Sequence, residues 1–301
     1  MSNEKELAFV LGGGGSRGAL QVGALRALLE AGYRPNLWVG TSIGAANATF
    51  LALRGFNQES LTALVGVWQD AVRADLLPSN YLWLTIRTLF NRSGGQINHR
   101  MRNFFIANVL PPELRFKDIH GVRLILVAAD LNAGRPILYG TDPERTVLEG
   151  VVASTALPPW ARPLRVNGQY LIDGGLVSNL PIEPALSQGA TEIIALGLVD
   201  ERDVPSAVTG FSPFFMKLAQ TIEQRQIDLE LALAEARRVP VRYIQLRGAV
   251  PFEFWDFSHT DEAIERGYEI ARQEIAHWPV KARPWWQSWL TPLDVSNSQR
   301  G

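Results

Sequence analysis

Cysteine is missing from this chain altogether, which excludes disulfides, thiol nucleophiles and cysteine metal sites and leaves the redox compartment open. Histidine is scarce, with four in 301 residues, so any chemistry that needs an imidazole base has few candidates. A dominant charge is absent as well. The 29 Lys and Arg residues stand against 30 Asp and Glu, and no overall field favours nucleic acid or an anionic surface. No stretch approaches the ~18 uninterrupted apolar residues of a membrane span. The apolar run nearest the start, Leu7 to Leu11, is shorter than the roughly 7 to 15 residues of a signal-peptide core. These absences lead to the expectation of a cytoplasmic protein without a nucleic-acid partner, whose membrane contact is peripheral at most, at the inner face. What is present in quantity is apolar material: 47% of the residues are hydrophobic, enough for the sizeable core of one large α/β domain.

Leu7 to Leu11 is a continuous apolar run of the kind a buried parallel strand shows, and it ends in four glycines. Val22, Leu25, Leu28 and Leu29 then recur at helical spacing, with Gly32 placed to cap the helix end. A short strand over 37–40 and an Ala-rich helix over 45–54 complete a β-α-β-α unit. Residues 57–110 look helical, with an apolar cluster over 76–90 that suits either a cover or lid or an ordinary helix layer. The strongest strand is RLILVAA (123–129), followed by Asp130 and a turn at 132–134 into a strand over 136–139. LRVNGQYLID (164–173) alternates around Asn167-Gly168, a strong short hairpin signal. Strands over 192–199 and 241–246 and helices over 213–238 and 260–277 follow. The tail beyond 280 carries Trp285, Trp286 and Trp289.

LGGGGSRG (11–18) raises the question of what anion the bare backbone receives. Gly13, Gly15 and Gly18 satisfy the dinucleotide pattern G-x-G-x-x-G between a strand and a helix. That mechanism also needs an acid at the end of the second strand to hold the ribose, and the chain offers Gly40, Thr41 and Ser42 there. A phosphate loop needs Gly-Lys-Ser/Thr, and Gly18 is followed by Ala19 and Leu20. GTSIG, residues 40–44, is instead a G-x-S-x-G between a strand and a helix. There the chain turns sharply, Gly40 and Gly44 give it room, and Ser42 stands exposed at the positive end of the following helix. The competing reading makes Ser42 a simple helix N-cap. If Ser42 attacks an ester, the glycine loop is suited to receive the oxyanion of the tetrahedral intermediate.

The base is less legible. His99 and His120 precede any candidate acid, and His259 and His277 sit among ordinary loop and helix residues. Asp130 ends the strongest strand, where α/β sites collect, and Asp173 follows the hairpin in LIDGGL. Residue chemistry alone does not choose between the two aspartates.

Four separated pieces, in order, resemble the patatin-like phospholipases, and among them bacterial proteins similar to the catalytic domain of neuropathy target esterase: GGGGSRG (12–18), GTSIGA (40–45), AADLNAG (128–134) and the block 153–181 ending in Asp-Gly-Gly and Asn-x-Pro. The resemblance implies a three-layer α/β/α fold with a mostly parallel sheet over residues 1–280, the Trp-rich 281–301 being a tail. It implies a Ser42-Asp173 dyad without histidine, oxyanion donors at Gly13, Gly14 and Gly15, and a steadying role for Arg17. Asp130 falls back to shaping its turn, while Gly174, Gly175, Asn179 and Pro181 shape the loop that carries Asp173.

A carboxylate is a weak base at its reference pKa of ~3.9, so the dyad calls for surroundings that raise the pKa of Asp173 or couple it tightly to Ser42. The implied activity is hydrolysis of phospholipid or lysophospholipid esters through an acyl-serine, with no metal and no cofactor. Esters or thioesters of soluble acyl groups are the alternative substrates, and a nucleotide-binding module on the same glycines is the alternative of another class.

Overall fold

The computed structural model describes residues 6–74, 95–158, 161–199, 211–249, 253 and 255–278. The apolar cluster at 76–90 and the tryptophans of the tail lie outside the described residues. In chain order the strands are β1 (Leu7–Leu11), β2 (Leu37–Thr41), β3 (Arg123–Asp130), β4 (Arg135–Tyr139), β5 (Leu164–Val166), β6 (Gln169–Asp173), β7 (Glu192–Leu198) and β8 (Val241–Leu246). The helices are α1 (Gly18–Glu30), α2 (Ile43–Arg54), α3 (Gln58–Ala74), α4 (Gly95–Asn108), α5 (Val147–Ser154), α6 (Ile182–Ser187), α7 (Phe211–Ala236) and α8 (Thr260–Ala276).

All eight strands join one sheet of order β5-β6-β3-β2-β1-β7-β8, with β4 also on β3. The pairs β3-β2, β2-β1, β1-β7 and β7-β8 are parallel, and the hairpin strands join antiparallel. Both faces are covered, which is why the central strands read as unbroken apolar runs. Phe9, Leu11, Trp38, Leu126 and Leu196 pack into the layer of α1, α2, α3, α5 and α8. Their sequence neighbours Ala8, Val10, Leu37, Val39, Ile125 and Ala195 pack against α6 and α7. The result is the expected three-layer α/β/α arrangement. The hairpin turns at Asn167 (φ 50°) and Gly168 (φ 82°), the left-handed pair an Asn-Gly turn favours. The short helices α5 and α6 were not among the expected elements.

One detail of register positions the site. Leu126 and Val127 of β3 pair with β2 and with β4, so those two strands occupy opposite edges of β3. Ala128, Ala129 and Asp130 pair with β4 and with β6. Strand β6 therefore takes over the edge that β2 leaves. Thr41 lies opposite Val127 and Asp173 opposite Ala128, so the end of β6 meets the chain where it turns out of β2.

Candidate active site

Ser42 occupies that turn with φ 55° and ψ −124°, a left-handed conformation uncommon for a residue with a side chain. Strain of this kind costs about 1–3 kcal/mol and persists only where the surroundings impose it. Here they do. The Ser42 N–H donates to Ser154 Oγ (2.9 Å), whose own hydroxyl donates to the Val127 carbonyl (2.6 Å). Thr41 Oγ1 donates to the Ser178 carbonyl (2.8 Å). A Cβ on Gly44 would stand 2.2 Å from the Leu11 carbonyl oxygen, and one on Gly40 would stand 2.6 Å from the Ala45 backbone, so the elbow closes only with glycine at both flanks. The Ser42 hydroxyl makes no capping hydrogen bond to α2, which sets aside the N-cap reading and leaves the oxygen available at the helix's positive end.

Asp173 is 2% exposed. Its Oδ1 accepts the Gly175 N–H (2.8 Å), and its Oδ2 is buried without a hydrogen-bond partner. Burial pushes its pKa from 3.8 to about 6, while the nearby Ser42 hydroxyl and the Gly175 amide pull it partly back. The serine lies close enough for that influence but short of hydrogen-bond alignment, a common state for catalytic pairs without substrate.

In the glycine loop the Gly12 N–H donates to the Leu196 carbonyl and the Gly13 N–H to the Asn179 carbonyl, both at 3.1 Å. Gly13 therefore departs from the expectation of three oxyanion donors, because its amide is already committed. The Gly14 and Gly15 N–H groups donate to no acceptor among the described residues. Arg17 Nε donates to the Gly14 carbonyl (3.3 Å), and Gln21 Nε2 to the Gly12 carbonyl (2.8 Å). Asn179 links the two loops. A Cβ on Gly13 would come 2.4 Å from Asn179 Oδ1 and one on Gly175 would come 2.9 Å from it, so the carboxamide fits only because both neighbours are bare. Gly174 closes just as tightly on β3, where a Cβ would stand 2.2 Å from the Val127 carbonyl oxygen.

Asp130 is placed differently. It accepts the Asn132 and Ala133 amides (3.0 and 3.2 Å) and Gln169 Nε2 (2.8 Å). Burial works to raise its pKa, but these bonds and Arg135 outweigh it and the net shift is downward. It holds the β3–β4 turn in the ionised form. His99, His120 and His277 are exposed, and His259 faces Asp256 and Glu262. None of the four lines the pocket at Ser42. Among the described residues no three His, Asp or Glu side chains converge as a metal site requires, and no helix is long and apolar enough to cross a membrane.

Beside Ser42 and Gly15 opens an apolar pocket. Its walls come from α2 (Ile43, Ala46, Phe50), α3 (Leu64, Val67, Trp68, Ala71) and α4 (Met101, Phe104, Phe105), with Leu157 and Phe257. The polar groups in the wall are satisfied: Trp68 Nε1 donates to Asn47 Oδ1 (3.0 Å), and Asn47 Nδ2 to the Gly18 carbonyl and Gln21 Oε1. An apolar slot with a serine hydroxyl at its mouth suits an acyl chain attached to a reactive carbonyl.

Three residues that brace the candidate site escaped sequence reading. Ser154 anchors the elbow, and Glu223 and Glu230 of α7 reach the loop after Asp173. Nothing local marks them, since each makes its contact across a large sequence separation.

Comparison with known proteins points to one family. The patatin-like phospholipase domain-containing protein 7 of Mus musculus is 28% identical over 90% of this chain and 21% of its own length. An NTE family protein of Mycobacterium tuberculosis is 26% identical over 93% of this chain and 48% of its own, and the lysophospholipase NTE1 of Phaeosphaeria nodorum is 28% identical over 90% and 18%. The chain thus spans about a fifth to a half of these relatives. Among solved structures, VipD from Legionella pneumophila aligns over 91% of this chain and 67% of its own, at 16% identity and a TM-score of 0.47. The family model described as patatin-like phospholipase matches residues 9–186, which take in the glycine loop, the elbow and Asp173. The chain belongs to the patatin-like phospholipase family.

Proposed function

We propose that the protein is a serine acyl hydrolase of lipid carboxylic esters, of phospholipase A or lysophospholipase type, working through Ser42 and Asp173. The observation that carries this reading is a strained serine at a helix N-terminus beside a buried aspartate with one unpartnered oxygen, at the mouth of an apolar slot. Asp173 Oδ2 takes the Ser42 proton as Oγ attacks the acyl carbon. The oxyanion forms against the Gly14 and Gly15 amides and the first free amides of α2. Collapse expels the alcohol, to which Asp173 returns the proton. Water, deprotonated by the same carboxylate, then releases the fatty acid from acyl-Ser42. Each oxyanion donor is worth about 3 kcal/mol of barrier.

Two features favour lipid over soluble esters. The slot is lined almost wholly by apolar side chains. Exposed Leu176, Leu218, Ile222 and Leu229 form an apolar margin by the Asp173 loop, where Gln226 Nε2 donates to the Leu176 carbonyl, and such a margin suits contact with a lipid aggregate. Hydrolysis of p-nitrophenyl butyrate by the wild type, Ser42→Ala and Asp173→Asn, with a fluorophosphonate probe located by mass spectrometry, tests the mechanism. Loss of activity in both variants with the adduct on Ser42 is expected. An active Asp173→Asn, or an adduct elsewhere, would overturn the dyad. Comparing micellar with monomeric lysophospholipid tests the substrate class, and equal rates on both would favour soluble esters.

A further inference from the structure

Helix α7 packs Ile227 and Ala234 into the core, yet its polarity is mixed on both sides. Leu218, Ile222 and Leu229 face solvent at 45, 48 and 52% exposure, while Glu230 is turned inward at 8%. Glu223, Gln226 and Glu230 fall at i, i+3 and i+7, on one face. All three reach the segment that follows Asp173. Gln226 Nε2 donates to the Leu176 carbonyl (2.8 Å), and Glu223 accepts from Asn179 Nδ2. Glu230 Oε1 accepts the Ser178 hydroxyl (2.6 Å), and its Oε2 accepts the Glu183 amide (2.8 Å). The same segment touches the chemistry at two points: the Ser178 carbonyl holds Thr41, which precedes Ser42, and the Asn179 carbonyl holds the Gly13 amide.

We propose that Glu223, Gln226 and Glu230 are positioning residues, a polar row that fixes segment 176–183 and through it the placement of Asp173, Ser42 and the glycine loop. The proposal rests on the hydrolase reading above. A buried carboxylate is a poor way to stabilise a fold, since desolvation opposes its bonds. Burial indeed pushes the Glu230 pKa up to about 7, against the pull of the Ser178 and Glu183 bonds. A carboxyl group kept there at such a cost is accounted for by the fixed geometry it imposes. Its two oxygens accept from two different parts of the segment, which an apolar side chain would leave free to slide.

The test compares Glu230→Gln, Glu223→Ala and Gln226→Ala with the wild type in kcat and KM for p-nitrophenyl butyrate, in the rate of fluorophosphonate labelling of Ser42, and in melting temperature. Because small displacements of reacting groups are costly, kcat and labelling rate are expected to fall about tenfold to a hundredfold in Glu230→Gln, with KM within about twofold. Adding Ser178→Ala to Glu230→Gln should cost little more, as both act through one hydrogen bond. Full kcat and labelling in the folded variants, or losses that only track the folded fraction, would overturn the proposal. If Glu230→Gln does not fold, the part-buried Glu223 and Gln226 variants decide it alone. A silent wild type would sink the hydrolase reading instead, whereas an active wild type and an inactive Ser42→Ala beside unaffected α7 variants would sink only the positioning role.

Discussion

Asp173→Asn is expected to inactivate the enzyme and at the same time to stabilise it at alkaline pH. Burial raises the carboxyl pKa from 3.8 to about 6, so the folded state prefers the protonated form more than the unfolded chain does. The stability tied to this group is fully present below pH 3.8 and is lost as pH rises through 6. A shift of about 2 units at ~1.36 kcal/mol each makes the ionised form about 3 kcal/mol costly at pH 8. Asn removes that charge, keeps an oxygen for the Gly175 amide, and can donate to Ser42 Oγ. At about 2.1 cal/mol/K per residue, 301 residues have an unfolding entropy near ~0.6 kcal/mol/K, and 3 kcal/mol corresponds to roughly 5 °C. Urea and thermal unfolding of both proteins at pH 8, 5 and 3.5 measure the gap. It should be full at pH 8, about half at pH 5 and near zero at pH 3.5. A variant that is no more stable at pH 8, or a gap that does not change with pH, would refute the reasoning that the site stores the cost of an unpaired buried charge.

From the same shift, kcat/KM should rise with pH and level off above about 6, dropping about tenfold per unit below it, because only ionised Asp173 accepts the serine proton; a flat profile between pH 4 and 7 would exclude Asp173 as base. Ser154→Ala leaves the part-buried Ser42 amide and the buried Val127 carbonyl without this partner and should cost about 1–3 kcal/mol in urea unfolding, with a fall in kcat as the elbow loses its anchor. Gly44→Ala places a methyl 2.2 Å from the Leu11 carbonyl oxygen, a backbone clash expected to abolish soluble expression. Ala71→Phe fills part of the apolar slot and should shift the preferred acyl chain to shorter lengths, measured across p-nitrophenyl esters, while short-chain turnover stays near wild type.

Much of this was legible because the physics is local. Unbroken apolar runs at 7–11, 124–129 and 193–199 identify strands buried on both faces, Asn167-Gly168 identifies its own turn, and the glycines around Ser42 announce a backbone that must pass close to its neighbours. What could not be read depends on distant partners. The engagement of the Gly13 amide comes from Asn179, 166 positions away along the chain. Glu223 and Glu230 look like ordinary solvated acids of an amphipathic helix, and only the fold shows that their side of α7 faces inward. Helix α6 contains Pro184 in six residues, too short a span for any periodicity to register. The choice of Asp173 over Asp130 likewise needs three dimensions, since both end strands and one of them spends its oxygens on its own turn and on Gln169.

Strand β3 gives both halves of the proposed dyad a common ruler, with Thr41 set against Val127 and Asp173 against the next residue. The spacing of Ser42 and Asp173 is therefore written in hydrogen-bond register along one interior strand. The helices that wall the acyl slot, α3 and α4, lie between β2 and β3 in the chain and contribute nothing to that measure. Chemistry and substrate choice are thereby separable. The stretch that carries α3 and α4 can be exchanged for one of another shape, giving chimeras with a new chain-length preference on an unaltered Ser42 and Asp173, whereas a single-residue slip in β3 would silence every one of them.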